Sequence, residues 1–220
     1  EASDAESLVW VADPGRLIAL LRVLEDPPGF VLCEWGCYSQ QFLLDGGEAV
    51  EGVYTWIAHS HFESPKARGD LFKYRANLAT IAPNAGWSEV GLQSWMAGRL
   101  FEAAFTTLLK VEPELSTREA LIRIAKEIDF YTADGILPVT NPGGGEPTPC
   151  FVLMVVRNGQ WVQEYPKPPR DQDCARSNLY ELVTSRSLGI ATVSAATSEA
   201  QPTPGSEAEP DLENPEELDE

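Results

Sequence analysis

The sequence predicts an α/β fold: a parallel sheet covered by helices, ending in a β-hairpin and an acidic tail. Three observations carry this. Short apolar runs of strand length alternate with stretches whose apolar residues recur at helical spacing, which is the pattern of a parallel, helix-covered sheet. An Asn158-Gly159 pair between two apolar runs marks a tight hairpin. From Ala195 onward the chain carries nine carboxylates, four prolines and no Lys or Arg. Such a segment buries too little apolar surface to offset its ordering entropy, so 195–220 is expected to be a disordered tail.

The elements follow in order. Leu8-Val9-Trp10-Val11-Ala12 has the length of a buried strand and is closed by Asp13-Pro14-Gly15. Arg16 to Leu24 places Leu17, Leu20, Leu21 and Leu24 on one helical face, until Asp26-Pro27-Pro28-Gly29 stops it. Phe30-Val31-Leu32-Cys33 is a second strand, Tyr38 to Leu44 a short helix ending at Gly46-Gly47, and Val53-Tyr54-Thr55-Trp56-Ile57 a β-branched and aromatic third strand. A helix with Pro65 in its first turn carries Leu71, Tyr74, Leu78 and Ile81 before Pro83. Gly91 to Lys110 forms a long helix with a broad apolar stripe, and Ser116 with Glu119 is a capping-box candidate for the next. A loop rich in Pro and Gly (138–149) leads to strands Cys150–Val156 and Trp161–Tyr165 around the hairpin turn. The organisation expected is an α/β region over 1–175, an extension over 176–194 and the tail over 195–220.

Charge and length exclude several functions. The 220 residues carry 34 acids against 16 bases, a formal charge of −18. Without the tail the body keeps 25 acids against the same 16 bases, so it is moderately acidic and lacks the basic footprint that nucleic acids require. No run approaches the ~20 apolar residues of a membrane span. The chain opens on Glu1 with no basic and apolar leader, so any signal peptide is expected to have been removed or to lie outside it.

Catalytic signatures are missing. The sequence has neither a Gly-x-Ser-x-Gly elbow nor a phosphate loop, and Gly143-Gly144-Gly145 has no following Lys-Ser/Thr. His59-Ser60-His61 would align two imidazoles if extended, but these are the only histidines and zinc takes three or four ligands. They read as two polar residues at a strand end. No catalytic residue, metal or cofactor is predicted. An enzyme would be signalled by turnover that is lost on His59→Ala or His61→Ala.

Leu8 to Tyr165 resembles the C-terminal half of the type I periplasmic binding proteins, in particular the branched-chain amino-acid (leucine-binding) family of ABC importers. The stretches that carry the likeness are Leu8-Val9-Trp10-Val11-Ala12-Asp13-Pro14, Glu48-Ala49-Val50-Glu51-Gly52-Val53-Tyr54, the helix from Gly91-Leu92-Gln93-Ser94-Trp95-Met96-Ala97, and the Phe151 to Tyr165 hairpin. The family's opening βαβ units are missing, so the chain reads as part of a larger protein. The resemblance implies a Rossmann-like lobe and portions of a second, closing on a small polar solute such as an amino acid. It also implies delivery to an ABC permease and a place outside the cytoplasm. The same module also serves as the sensing domain of receptors, the alternative reading.

The site residues come from the resemblance. An acidic residue after a second-lobe strand holds the ligand's ammonium in the family, and the matching position here is Glu34. Trp35 and Tyr38 would then wall the ligand, a carboxylate and aromatic faces both being suited to a cation. Asp13 is nominated by the loop after the first strand, though it is as well placed to cap the helix starting at Pro14. Gln93 and Trp95 would approach from the opposite side. The four cysteines allow three pairings. A Cys150–Cys174 bridge would tie the segment after Tyr165 back to the sheet, and the Pro-Cys…Asp-Cys ending of some relatives supports it. Cys33 and Cys37 remain open between a small bridge and buried thiols.

Overall fold

The computed structural model describes residues 5–64, 69–114 and 117–179. Contacts divide the chain into Glu1–Tyr180 and Glu181–Glu220, and every described residue belongs to the first unit. Five strands, β1 (Ser7–Trp10), β2 (Phe30–Cys33), β3 (Val53–Ile57), β4 (Val152–Arg157) and β5 (Gln160–Tyr165), form one sheet in that spatial order. β1, β2 and β3 are parallel, while β4 pairs antiparallel with β3 and β5 antiparallel with β4. The sheet is therefore mixed. Asn158 and Gly159 both take positive φ, 52° and 70°, as the tight hairpin turn requires.

The helices are α1 (Pro14–Val23), α2 (Gln40–Gly46), α3 (Asp70–Ile81), α4 (Glu89–Val111) and α5 (Arg118–Lys126). Side-chain caps fix their starts. Arg16 N–H donates to Asp13 Oδ1 at 3.0 Å, Phe42 N–H to Ser39 Oγ at 3.0 Å and Gly91 N–H to Ser88 Oγ at 3.1 Å. Two helix starts are shifted by their caps. α2 starts at Gln40, not Tyr38, because Ser39 is its cap and Tyr38 belongs to the preceding turn. α5 is capped by Thr117, whose hydroxyl takes the Ala120 N–H at 3.2 Å, so the cap falls one residue past Ser116. Ser116, like Pro65 and the 195–220 tail, lies outside the described residues.

One face of the sheet makes the core. Val31, Cys33, Val53, Ile57, Val152, Met154, Val156 and Trp161 point to it and pack with Leu17, Ile18 and Leu21 of α1, Phe42 of α2, Leu71 and Tyr74 of α3, and Leu92 and Met96 of α4. Ala104 and Leu108 of α4 form a separate cluster with Ala120 and Ile124 of α5. Of the alternate residues, which face the other way, Val9, Phe30, Trp56, Val162 and Tyr165 are exposed, while Val155 is buried.

Two disulfides are formed, Cys33–Cys37 and Cys150–Cys174. The first settles the open pairing. The second anchors the segment after β5, together with the reciprocal Phe151–Asp173 backbone bonds at 3.0 Å and the Tyr165 hydroxyl donating to Asp173 Oδ2 at 2.6 Å.

Candidate binding edge of the sheet

β1 and β2 end level, with Trp10 opposite Cys33, while β3 runs on past Thr55, the partner of Cys33, to Ile57; the residues after Trp10 and Cys33 therefore leave the sheet at its carboxyl edge. In open α/β sheets that edge is where ligands collect, because loops diverge there over strand ends. Glu34 is the first residue beyond β2 and is fixed from both sides. Its N–H donates to the Trp10 carbonyl at 2.9 Å, and its own carbonyl accepts the Thr55 hydroxyl at 3.1 Å. The Cys33–Cys37 bridge closes the turn that contains it. The Glu34 carboxylate is half-buried, lies beside Gly36, and has no hydrogen bond or ion pair among the described residues.

The other nominated residues divide. Trp35 is half-buried in the same turn, and α4, which carries the exposed Gln93, packs against that turn. Gln93 donates to Glu89 Oε1 at 2.9 Å. Asp13 stands at the end of β1, where its side chain caps α1 and its carbonyl accepts the Trp10 indole N–H at 3.0 Å. Trp95 is half-buried, edge-on to Tyr74 with ring centres 6.0 Å apart, and packed on the core. Its indole nitrogen is buried without a partner among the described residues.

Tyr38 is placed differently from a wall residue. It is fully buried at the centre of an aromatic cluster with Phe62, Trp87 and Trp161. It offers no surface to a solute. Its hydroxyl donates to Glu63 Oε2 at 2.6 Å and accepts the Phe62 N–H at 2.8 Å. Burial, reinforced by the Glu63 carboxylate, pushes the phenol well above its ordinary range, so it stays protonated and donating.

Behind Glu34 lies a polar layer that sequence reading missed. His59 and His61 follow the end of β3, as expected, but they are buried, and their segment bends instead of extending. The His59 ring places Nδ1 2.8 Å from the Ser60 carbonyl and Nε2 on the Glu89 carboxylate. Both neighbours are acceptors, so the pair must hold two protons: an imidazolium with a carboxylate, or a neutral ring bonded by a carboxylic acid. Either form is neutral overall, which is how a buried acid and a buried imidazole coexist. His61 Nε2 lies 3.1 Å from Gln163 Oε1, and the Gln163 amide nitrogen donates to the Pro166 and Arg170 carbonyls. Gln163 Oε1 is therefore the acceptor and His61 Nε2 carries the hydrogen. His59 and Glu89 stand 30 residues apart, so no local spacing signals this layer in the sequence. Among the described residues no group of three or more His, Cys, Asp or Glu is arranged to hold a metal.

No family model matches the sequence, and no curated protein is similar to it. Solved structures are similar in fold. A branched-chain amino-acid ABC transporter protein from Thermus thermophilus, with bound valine, superposes with a TM-score of 0.59 at 10% identity, over 80% of this chain and 48% of that one. The chain has the type I periplasmic-binding-protein fold. A leucine-binding protein from Thermotoga maritima gives 0.55 at 16% identity over 72% and 43% of the two chains. An extracellular ligand-binding receptor from Rhodopseudomonas palustris gives 0.55 at 18% over 72% and 47%. The chain spans less than half the length of each. At these identities the likeness extends to the periplasmic-binding-protein fold and not to any one ligand. Among the described residues no helix is long and apolar enough to cross a membrane.

Proposed function

We propose that this chain is the ligand-holding part of an extracytoplasmic solute-binding protein, without catalytic activity, that captures a small polar molecule carrying an ammonium group. An amino acid is the default solute and an ABC permease the partner of the loaded form. The observation that carries this reading is the Glu34 carboxylate: half-buried, unpaired among the described residues, and held rigid at the carboxyl edge of the parallel strands. A carboxylate partly withdrawn from water and lacking a cation gains most from one that arrives with a ligand. Trp35 beside it supplies an apolar face, and Gln93 lies on the helix that packs against the turn. The bound valine of the Thermus neighbour is consistent with such a solute. Asp13 is retained at the rim, while Tyr38 supports the site from within.

The test is thermal unfolding with valine, leucine and a panel of other amino acids. A ligand at 100 times its dissociation constant adds about 2.7 kcal/mol to the folded state. Glu34→Gln should remove the stabilisation that the unsubstituted chain shows. Equal stabilisation of the Gln variant would take Glu34 out of the site, and a panel that stabilises nothing would count against an amino-acid solute.

A further inference from the structure

The buried polar layer behind Glu34 reaches the surface through Gln93, an exposed residue of α4. Glu89 is 2% exposed and both of its oxygens are committed: Oε2 to His59 Nε2, and Oε1 to the Gln93 side-chain amide at 2.9 Å. Its backbone is fixed as well, the N–H donating to the Tyr38 carbonyl at 2.9 Å. His59 is held in turn by the Ser60 carbonyl, 2.8 Å from Nδ1. The proton that the pair shares lies between Oε2 and Nε2 in either form of the pair, so Glu89 Oε1 carries no hydrogen in both. An oxygen without a hydrogen takes only a donor. Gln93 must therefore turn its NH2 group inward, and its own carbonyl oxygen is left outward with no hydrogen bond among the described residues.

The consequence is a choice between cations. A carboxylate and an aromatic face, which Glu34 and Trp35 supply, attract a quaternary ammonium as readily as a primary one. A carbonyl oxygen discriminates. It gains a charge-assisted hydrogen bond from a nitrogen that carries hydrogen, whereas a quaternary nitrogen has none to donate and leaves the oxygen unpaired. α4 packs against the turn that holds Trp35, so Gln93 and Glu34 stand on neighbouring elements. We propose that His59 and Glu89 are positioning residues for Gln93, and that the carbonyl they turn outward selects solutes with a primary or secondary ammonium over quaternary ones. The assignment rests on the role proposed for Glu34 and narrows its solutes from cations in general to N–H donors.

Two measurements on the full chain test this. Without solute, hydrogen exchange of the Gln93 side-chain NH2, followed by NMR, should be slower than that of Gln160, which is exposed at the hairpin. Glu89→Met should abolish the difference; equal exchange in the unsubstituted chain would overturn the inward NH2 and the proposal. The second measurement titrates valine and leucine against their N,N,N-trimethyl forms. Gln93→Leu should weaken the amino acids about tenfold, the scale of one hydrogen bond to a charged group, and leave the trimethyl forms unchanged. Glu89→Met should narrow the same gap, because a freed Gln93 presents either end; if that variant fails to fold, Gln93→Leu at its exposed position still decides. Equal losses for both kinds of solute would reveal a structural role alone and overturn the proposal, as would unchanged affinity for the amino acids. An unsubstituted chain that binds neither kind, while Gln93 keeps its slow exchange, would overturn the solute reading itself and this selectivity with it.

Discussion

Asp70 shows how a buried charge is stabilised in this chain. It opens α3, is 1% exposed, and receives Lys73 Nζ at 2.8 Å and Arg99 Nε at 2.6 Å, so it ties α3 to α4. Burial alone would raise its carboxyl. The hydrogen bonds from Lys73 and Arg99 outweigh that and hold it below the ordinary carboxylate value. A carboxyl lowered in the folded state contributes stability that is complete above its unfolded value of about 3.9 and is lost as pH falls through the folded value. Asp70→Asn should cost about 2 kcal/mol at neutral pH, the scale of a charge-assisted hydrogen bond, and should flatten this acid-side loss. Urea unfolding at pH 7 and pH 3 checks both: equal stability of the two proteins at pH 7 would show that the cluster contributes nothing. Individual residues were unevenly legible in the sequence. Glu34 stands directly after a recognisable strand and was nominated by the resemblance, whereas Glu89 contacts His59 through a pairing that no local spacing reveals. Tyr38 reads in the sequence as the start of a helix and, by the resemblance, as a wall for the ligand; only packing shows that its ring turns inward.

Elements were more legible than residues, because strand runs and helix faces are local. All five strands coincide with apolar runs in the sequence, and the hairpin turn has the two positive φ values that Asn158-Gly159 tolerates. Helix starts were less legible: in the Ser116-Thr117 pair either hydroxyl could cap, and backbone geometry selects Thr117. Thr117→Ala should therefore lower stability by about 1 kcal/mol, read from the shift in the urea midpoint. The strap after β5 has less local structure and depends on its ties. Its disulfide closes a loop of 24 residues, and Asn178 Nδ2 donates to the Pro149 carbonyl at 2.9 Å just upstream of Cys150. Replacing Cys150 and Cys174 together by Ala should cost about 3 kcal/mol in the chain-entropy account. The result should also show as faster amide exchange at Phe151 and Asp173, whose reciprocal bonds the bridge holds in register. Unchanged exchange there would mean that the strap is held by its hydrogen bonds alone.

At the scale of the molecule, the two faces of the sheet make opposite demands on sequence that periodicity does not distinguish. Phe30 and Leu32 alternate with Val31 and Cys33, and Tyr54 and Trp56 with Val53, Thr55 and Ile57. Both sets are largely apolar, as in strands buried on two sides, so the sequence reads as a sheet covered throughout. The structure separates them: Met154 is wholly buried among helices, while Trp56, on the neighbouring strand, is 42% exposed. Met154→Ala should cost about 2–5 kcal/mol through lost transfer free energy and the cavity left behind. Trp56→Lys in the chain alone should stay within about 0.5 kcal/mol, as for surface substitutions away from special features. Urea unfolding of the two variants measures this contrast. A large loss at Trp56 would mean that its ring contributes to packing in the chain as it stands. A small loss would show that the two faces of one sheet contribute unequally to the stability of the chain.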